Sequence, residues 1–436
     1  MEAKGSGTVP ATGSRLTQFI LGALVLGVVS GAAVHHLGAG SDFPAVYAEN
    51  ISLLTDIFLR MIKMIIAPLV FATLAVGIAS MGDSKTIGRV GAKTFGWFLT
   101  MSFLSLLLGL LMVHLLQPGA GVHLEVPAAS AATGLTAPGN PLANFLHHVF
   151  PVSIIDAMAK NEILQIVVFA VFFGLAGANL GPRAEEFFRN LDMLSHLMLR
   201  ITTMVMNFAP VAVFAAVSAV IAKSGLGILA TYAQFMLSFY AAILVLWLVI
   251  ILMGYFVLGK SVLELVAMLR QPLVLAFTTA SSEAAYPKTL EQVERFGAPN
   301  KIASFVLPVG YSFNLDGSMI YCTFATLFIA QVYGIEMSLG QQFLMLLMLM
   351  VTSKGIAGVP RASLVVIAAT LAHFNIPEAG VLLILGVDHF LDMARSATNV
   401  LGNGIATAVV AKWEGVLTKP AADGHSAPAH TEAQTH

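Results

Sequence analysis

The sequence predicts an all-α integral membrane protein: eight transmembrane helices plus two re-entrant helical hairpins, arranged as inverted repeats. Three observations predict it. Of 436 residues, 57% are hydrophobic and only 10% charged, where an ordinary soluble domain carries roughly 25% charge. Apolar runs long enough to cross a bilayer, about 20 residues of helix, recur along the chain. After the sixth run the pattern changes, and two blocks of similar length, 260–333 and 337–412, show shorter apolar stretches cut by Gly, Pro, Ser and Asn clusters.

The same composition excludes other classes. With 22 Lys+Arg against 23 Asp+Glu there is no basic excess to hold a phosphate backbone, so no nucleic-acid partner is expected. The single cysteine, Cys322, makes no internal disulfide, and no Cys/His cluster has metal-ligand spacing. An intramembrane hydrolase would need a motif such as H-E-x-x-H or G-x-S-x-G, and neither occurs. His35, His36, His147 and His148 fall where the outer water interface is expected.

Taken in order, residues 1–14 are polar and read as a cytoplasmic tail. Span one, 16–41, is uncharged and too long for the core of a cleaved signal peptide. Span two, near 51–81, carries Arg60 and Lys63; spans three to six contain the uncharged runs 94–124, 163–182, 201–222 and 224–259. Spans seven and eight, near 302–333 and 379–411, are interrupted by charge, and 414–436 reads as a disordered cytoplasmic tail. Basic residues orient the chain, because cytoplasmic loops are enriched in them. Lys4, Arg15, Lys85, Arg89, Lys93, Arg183, Arg189, Lys260 and Arg270 lie at one set of span ends, whereas loops 37–49 and 118–141 have no Lys or Arg. Both termini therefore face the cytoplasm, with Lys223 the exception between spans five and six.

Block 260–333 has a turn signal at Thr278-Thr279-Ala280-Ser281-Ser282 and a helix break at Asn314-Leu315-Asp316-Gly317-Ser318. Lys260, Arg270, Arg295 and Lys301 flank its hairpin, so it enters from the cytoplasm. The second block has a turn at Ser353-Lys354-Gly355-Ile356-Ala357-Gly358-Val359-Pro360, and its neighbouring loops, 334–340 and 374–380, carry no Lys or Arg. That hairpin enters from outside. Oppositely oriented blocks with discontinuous helices are the pattern of secondary transporters, whose site lies where the repeats meet.

In the last span Asp388, Asp392, Arg395, Asn399 and Asn403 fall within an arc of roughly 80° at helical spacing. Each ionised side chain in hydrocarbon costs at least about 2.5 kcal/mol, so the stripe implies a pathway or a ligand. A purely structural reading pairs Asp392 with Arg395 but leaves Asp388 and the asparagines unexplained. The functional reading gives Arg395 a ligand carboxylate, Asp392 an ammonium and Asn399 a second carboxylate. The matching guest is an acidic amino acid. Asp316, with no other charge between Lys301 and Glu336, suits a small cation or a proton, or else caps the broken helix. Glu283, in the first hairpin turn, is a proton-carrier candidate or a helix cap.

On these residues the chain resembles the dicarboxylate/amino-acid:cation symporter family, the glutamate transporters, and among them the bacterial proton/glutamate symporters. The likeness covers nearly the whole chain and is densest in Ser281-Ser282-Glu283-Ala284-Ala285-Tyr286-Pro287, the Asn314–Ser318 break, Gly355–Pro360 and Asp388–Asn403. It implies a homotrimer in a bacterial inner membrane, with an elevator-type alternating-access mechanism. Residues 15–222 would be mainly trimerisation scaffold, with span three in the transport domain, and 223–413 would be the transport core. By position, Arg395 would take the side-chain carboxylate, Asp392 the amine and Asn399 the α-carboxylate with Ser282. Ser318, Ser396, Gly358 and Val359 would complete the pocket. The coupling-ion set would comprise the backbone of Gly310, Ser312 and Asn399, the side chains of Asn314, Asp316 and Ser102, and also Ser353, Asn403 and Asp388. Sodium is expected at Asp316, Asn314 and Asn399 if sodium is used. Departures favour protons: Asn403 replaces an aspartate of sodium-coupled relatives, and Phe98 and Met101 replace oxygen-bearing side chains. No cofactor is implied beyond the coupling ion, H⁺ or Na⁺. Asp392 favours glutamate and aspartate over C4-dicarboxylates, which have no amine; a C4-dicarboxylate symporter and a sodium-coupled aspartate/glutamate symporter are the alternatives.

Overall fold

The computed structural model describes residues 12–81, 84–119, 149–226, 232–352, 362–385 and 387–418. Their regular structure is helical: α1 (Thr12–Leu37), α2 (Phe43–Met81), α3 (Ser84–Leu116), α4 (Ile154–Lys160), α5 (Ile163–Leu180), α6 (Glu185–Val205) and α7 (Ala209–Ser224) come first. They are followed by α8 (Ala233–Leu258), α9 (Ser261–Thr279), α10 (Ser282–Arg295), α11 (Asn300–Phe313), α12 (Asp316–Val332), α13 (Leu339–Thr352), α14 (Ala362–His373), α15 (Val381–Leu385) and α16 (Asp388–Trp413).

Among the described residues, eight helical segments are long and apolar enough to cross a membrane, and they include α9 but not α16. Two details explain this. Helix α16 carries Asp388, Asp392, Arg395 and Lys412, which dilute its apolar character. Helix α9 ends at Ala280, in left-handed backbone at φ 49°, where the chain reverses and packs α10 back on α9. So α9 and α10 are the arms of the first re-entrant hairpin, and α16 is the eighth crossing. Ser281 caps α10, accepting from the Ala284 N–H at 3.2 Å. The cap considered for Glu283 thus belongs to Ser281, whose short hydroxyl suits the position, and Glu283 sits in the first turn.

Helices α1, α2, α5, α6 and α7 form one group. Ser218 of α7 meets Ser30 of α1 and Tyr47 of α2 at 2.9 Å each, and His35 Nδ1 lies 2.9 Å from the Ala222 carbonyl. That contact makes His35 a packing residue, whereas its place at the span's edge suggests the water interface. In the second group α16 is ringed by α3, α8, α9, α10, α11 and α12, and its residues from Met393 to Ala411 are buried. The groups meet where α2 packs on α10 and α11, and where α1 and α7 pack on α9. The outer hairpin's arms, α13 and α14, pack on each other and on α12, with α13 also against α3.

Residues 414–418, expected to belong to a disordered tail, are held against the helices. Glu414, whose side chain is 4% exposed, bridges Arg89 at 2.8 Å and Lys93 at 2.7 Å, while Thr418 N donates to the Gly297 carbonyl at 3.1 Å. Composition suggested disorder; two cations at the start of α3 hold the segment instead.

Candidate functional site

Helix α16 presents its polar stripe to the broken crossing α11–α12. Helix α11 ends at Phe313 and α12 begins at Asp316, so the break predicted at 314–318 is confined to Asn314 and Leu315. Gly317 makes the approach possible: a Cβ there would collide with the backbone of Arg395. The first turn of α12 therefore lies directly on α16.

Two clusters result. In the first, the Arg395 guanidinium is 4% exposed; its Nη2 lies 2.9 Å from Asp392 and 3.4 Å from Asp388. Its Cζ sits 4.1 Å from the centre of the Tyr321 ring, and Tyr321 Oη donates to Asp388 Oδ1 at 2.9 Å. Nε and Nη1 of Arg395 are buried without a hydrogen-bond partner. A buried donor left unmatched is costly, and donors on a planar cation suit a carboxylate. Asp392 keeps its side chain 40% exposed, so it can meet an incoming ammonium. Ser396, on the next position of α16, is buried, and Ser282 and Ser318 are half-buried at the first turns of α10 and α12.

The second cluster surrounds Asp316, which is fully buried. Asn314 Nδ2 donates to Asp316 Oδ2 at 3.2 Å and to Asn403 Oδ1 at 3.0 Å. Those bonds turn Asn314 Oδ1 and Asn403 Nδ2 into buried groups without partners. Ser105 Oγ lies 3.2 Å from Asp316 Oδ1, and Ser102 Oγ donates to the Phe313 carbonyl at 3.4 Å. Gly310 and Ser312 are buried in the last turn of α11, where the Gly310 carbonyl accepts from Asn314 N at 2.8 Å. The buried Phe98 ring packs against Gly310. Beside Gly310 stand the amide oxygen of Asn403 and the Phe98 ring, and only the first of these is an oxygen that could ligate a hard cation.

Asn399 joins the clusters. Its Oδ1 accepts from the Gly317 N–H at 2.9 Å, which leaves the Nδ2 donors for an anionic group. Glu283 is half-buried in the first turn of α10. Ser353, Gly358 and Val359, with Arg361, lie outside the described residues.

Two participants were not singled out from sequence, Tyr321 and Ser105. Ser105 follows Ser102 by three residues on one apolar helix, a spacing that places both hydroxyls on the same face. Tyr321 carries no comparable local signal.

The profile of the sodium:dicarboxylate symporter family matches residues 16–413. The proton/glutamate-aspartate symporter of Escherichia coli (strain K12) is 42% identical over 403 residues, 91% of this chain and 92% of that protein. The proton/sodium-glutamate symport protein of Geobacillus stearothermophilus is 39% identical over 401 residues, 90% and 93% of the two chains. C4-dicarboxylate transport protein 2 of Polaromonas naphthalenivorans (strain CJ2) is 41% identical over 404 residues, 91% and 88%.

Proposed function

The chain belongs to the sodium:dicarboxylate symporter family, and from that premise we propose that it imports glutamate and aspartate, driven by a proton gradient. It is a multi-pass membrane transporter rather than an enzyme, with the elevator-type fold of that family. The observation that carries the substrate assignment is the pairing of Arg395, with two unmatched buried donors, and the accessible carboxylate of Asp392 one turn away. A dicarboxylate without an amine would meet the Arg395 donors but would leave Asp392 facing an uncharged carbon. An acidic amino acid satisfies both.

In this reading the side-chain carboxylate lies on Arg395, the ammonium on Asp392 and the α-carboxylate on Asn399 Nδ2 with Ser282. Ser318, Ser396 and the outer-hairpin backbone at Gly358 and Val359 close the pocket. Asp316, with Asn314, Ser102 and Asn403, forms the coupling site, and Ser353, Asp388 and Glu283 are the remaining candidates. The choice of proton over sodium is supported by Asn403, which brings a neutral amide rather than a carboxylate to the cluster, and by Phe98 and Met101, whose side chains carry no oxygen. Residues 15–222, apart from α3, are assigned to a trimeric scaffold, and 223–413 to the moving transport core. The protein is assigned to the bacterial inner membrane with both termini in the cytoplasm.

The test is labelled-glutamate uptake into proteoliposomes under imposed proton or sodium gradients, with succinate as competitor. Accumulation with a pH gradient in sodium-free buffer, weakly inhibited by succinate, is expected. An absolute sodium requirement would reverse the ion assignment, and stronger inhibition by succinate than by aspartate would reverse the substrate assignment.

A further inference from the structure

The helix that carries the polar stripe is gripped from behind. Helix α8 turns Leu237, Leu244, Leu248 and Leu252 outward as an exposed apolar ridge, the face that a membrane helix gives to lipid. From its inner side two polar tips reach α16. Tyr240 Oη donates to the Phe390 carbonyl at 2.7 Å, and Trp247 Nε1 donates to Thr398 Oγ1 at 2.8 Å. Thr398 passes its own hydrogen to the Ala394 carbonyl at 2.8 Å. An indole nitrogen only donates, so the chain from Trp247 through Thr398 to Ala394 runs in one direction.

The spacing of these bonds matters. Tyr240 and Trp247 stand about 10 Å apart along α8, and Phe390 and Thr398 about 12 Å apart along α16, so both bonds form without bending either helix. In sequence the anchors bracket Asp392 and Arg395. Around the axis, Phe390, Ala394 and Thr398 lie roughly 100 to 180° from the centre of the stripe, so they hold the helix without entering the pocket. A helix packed in hydrocarbon by apolar side chains alone can slip past its neighbour by one ridge. Directional bonds at two heights remove both rotation and sliding.

We infer that Tyr240 and Trp247 are positioning residues that hold α16 at the rotation and height where Asp392 and Arg395 meet a single zwitterion. The inference rests on the proposed acidic amino-acid site and adds the residues that aim it.

The experiment uses the purified full-length protein, with L-aspartate and L-glutamate as probes in binding titrations and in reconstituted uptake. Tyr240→Phe and Trp247→Phe should each raise the aspartate Kd about three- to tenfold, the effect of losing one hydrogen bond. Maximal uptake rate should stay within about twofold, since the groups act on binding geometry. Thr398→Val should reproduce Trp247→Phe in the wild-type background yet add nothing to it, because both break one chain. Thr398→Ser, which keeps the hydroxyl, should restore affinity. An unchanged Kd in all variants, or equal defects in Thr398→Val and Thr398→Ser, overturns the inference. Should Trp247→Phe fail to assemble, the valine and serine variants of Thr398 decide alone. If the wild type binds neither amino acid, the functional reading fails and this inference falls with it; if the wild type binds and the variants match it, only the positioning role fails.

Discussion

Replacing Asp392 by asparagine separates the amine contact from everything else in the site. The side chain keeps its size, and Asp388 at 3.4 Å and the Tyr321 ring still accompany the Arg395 guanidinium. What disappears is the charge that would meet an ammonium. A charge-assisted hydrogen bond contributes about 1.5 to 3 kcal/mol, so aspartate and glutamate should bind roughly 10- to 150-fold more weakly. Succinate has no amine and loses nothing, so its inhibition of uptake should hold or strengthen. A cost to the unliganded protein is also expected, because Arg395 loses its 2.9 Å partner. Removing one member of a buried pair costs about 3 to 5 kcal/mol, but Asp392 is 40% exposed, and solvent screening reduces this to about 1 kcal/mol. Melting should therefore fall by no more than a few degrees. The assay is competition by aspartate and by succinate in proteoliposomes, together with thermal melting in detergent. An aspartate affinity within twofold of wild type, in protein that still assembles, would refute the assignment of the amine to Asp392.

Three further outcomes are expected. Arg395→Cys removes the carboxylate's partner, so glutamate should bind at least about 100-fold more weakly and neutral amino acids should be preferred; wild-type glutamate affinity in uptake assays would contradict that. Gly402→Ala places a Cβ against the Asp316 carboxylate, an overpacking cost of about 1 to 3 kcal/mol, and should lower melting and weaken ion-dependent binding, whereas wild-type values for both would argue against a tight fit there. The hydrogen bond from Arg89, and then that from Lys93, hold Glu414 below the usual carboxylate range. Its stabilising contribution is present above the unfolded value near 4.5 and is lost as pH falls through the lower folded value. Arg89 is half exposed, so the contribution is about 1 kcal/mol. Glu414→Gln should therefore melt earlier than wild type at pH 7 and converge with it in acid; a gap that widens on acidification would show the opposite linkage.

Much of the architecture was legible because membrane folding has few alternatives. Hydrocarbon demands long apolar helices, and a break survives there only where side chains or a cavity satisfy it. The clusters at Thr278–Ser282 and Asn314–Ser318 were therefore informative, and each contains a real interruption, at Ala280–Ser281 and at Asn314–Leu315. The stripe on α16 was legible for a similar reason, since charge on such a helix stands out and helical spacing places it on one face. What the chain did not disclose is which side chain meets which. Tyr321 is a tyrosine in an apolar helix, and nothing local says that it covers Arg395 and binds Asp388. Thr398 and Trp247 are distant in sequence and ordinary in composition. The hold on residues 414–418 was hidden for the same reason, because the cations that secure Glu414 come from the start of α3.

One amide belongs to two neighbours at once. With the oxygen of Asn399 committed to the N–H of Gly317, the plane of that group is set by the interrupted crossing, and its nitrogen can point only where that plane allows. Under the proposed function, an ion or proton that shifts the Asn314–Gly317 segment would tilt the donor offered to the organic guest. By thermodynamic reciprocity, the guest must push back on the ion's occupancy to the same extent. An energetic link between two cargoes can thus arise from one side chain that cannot turn both ways.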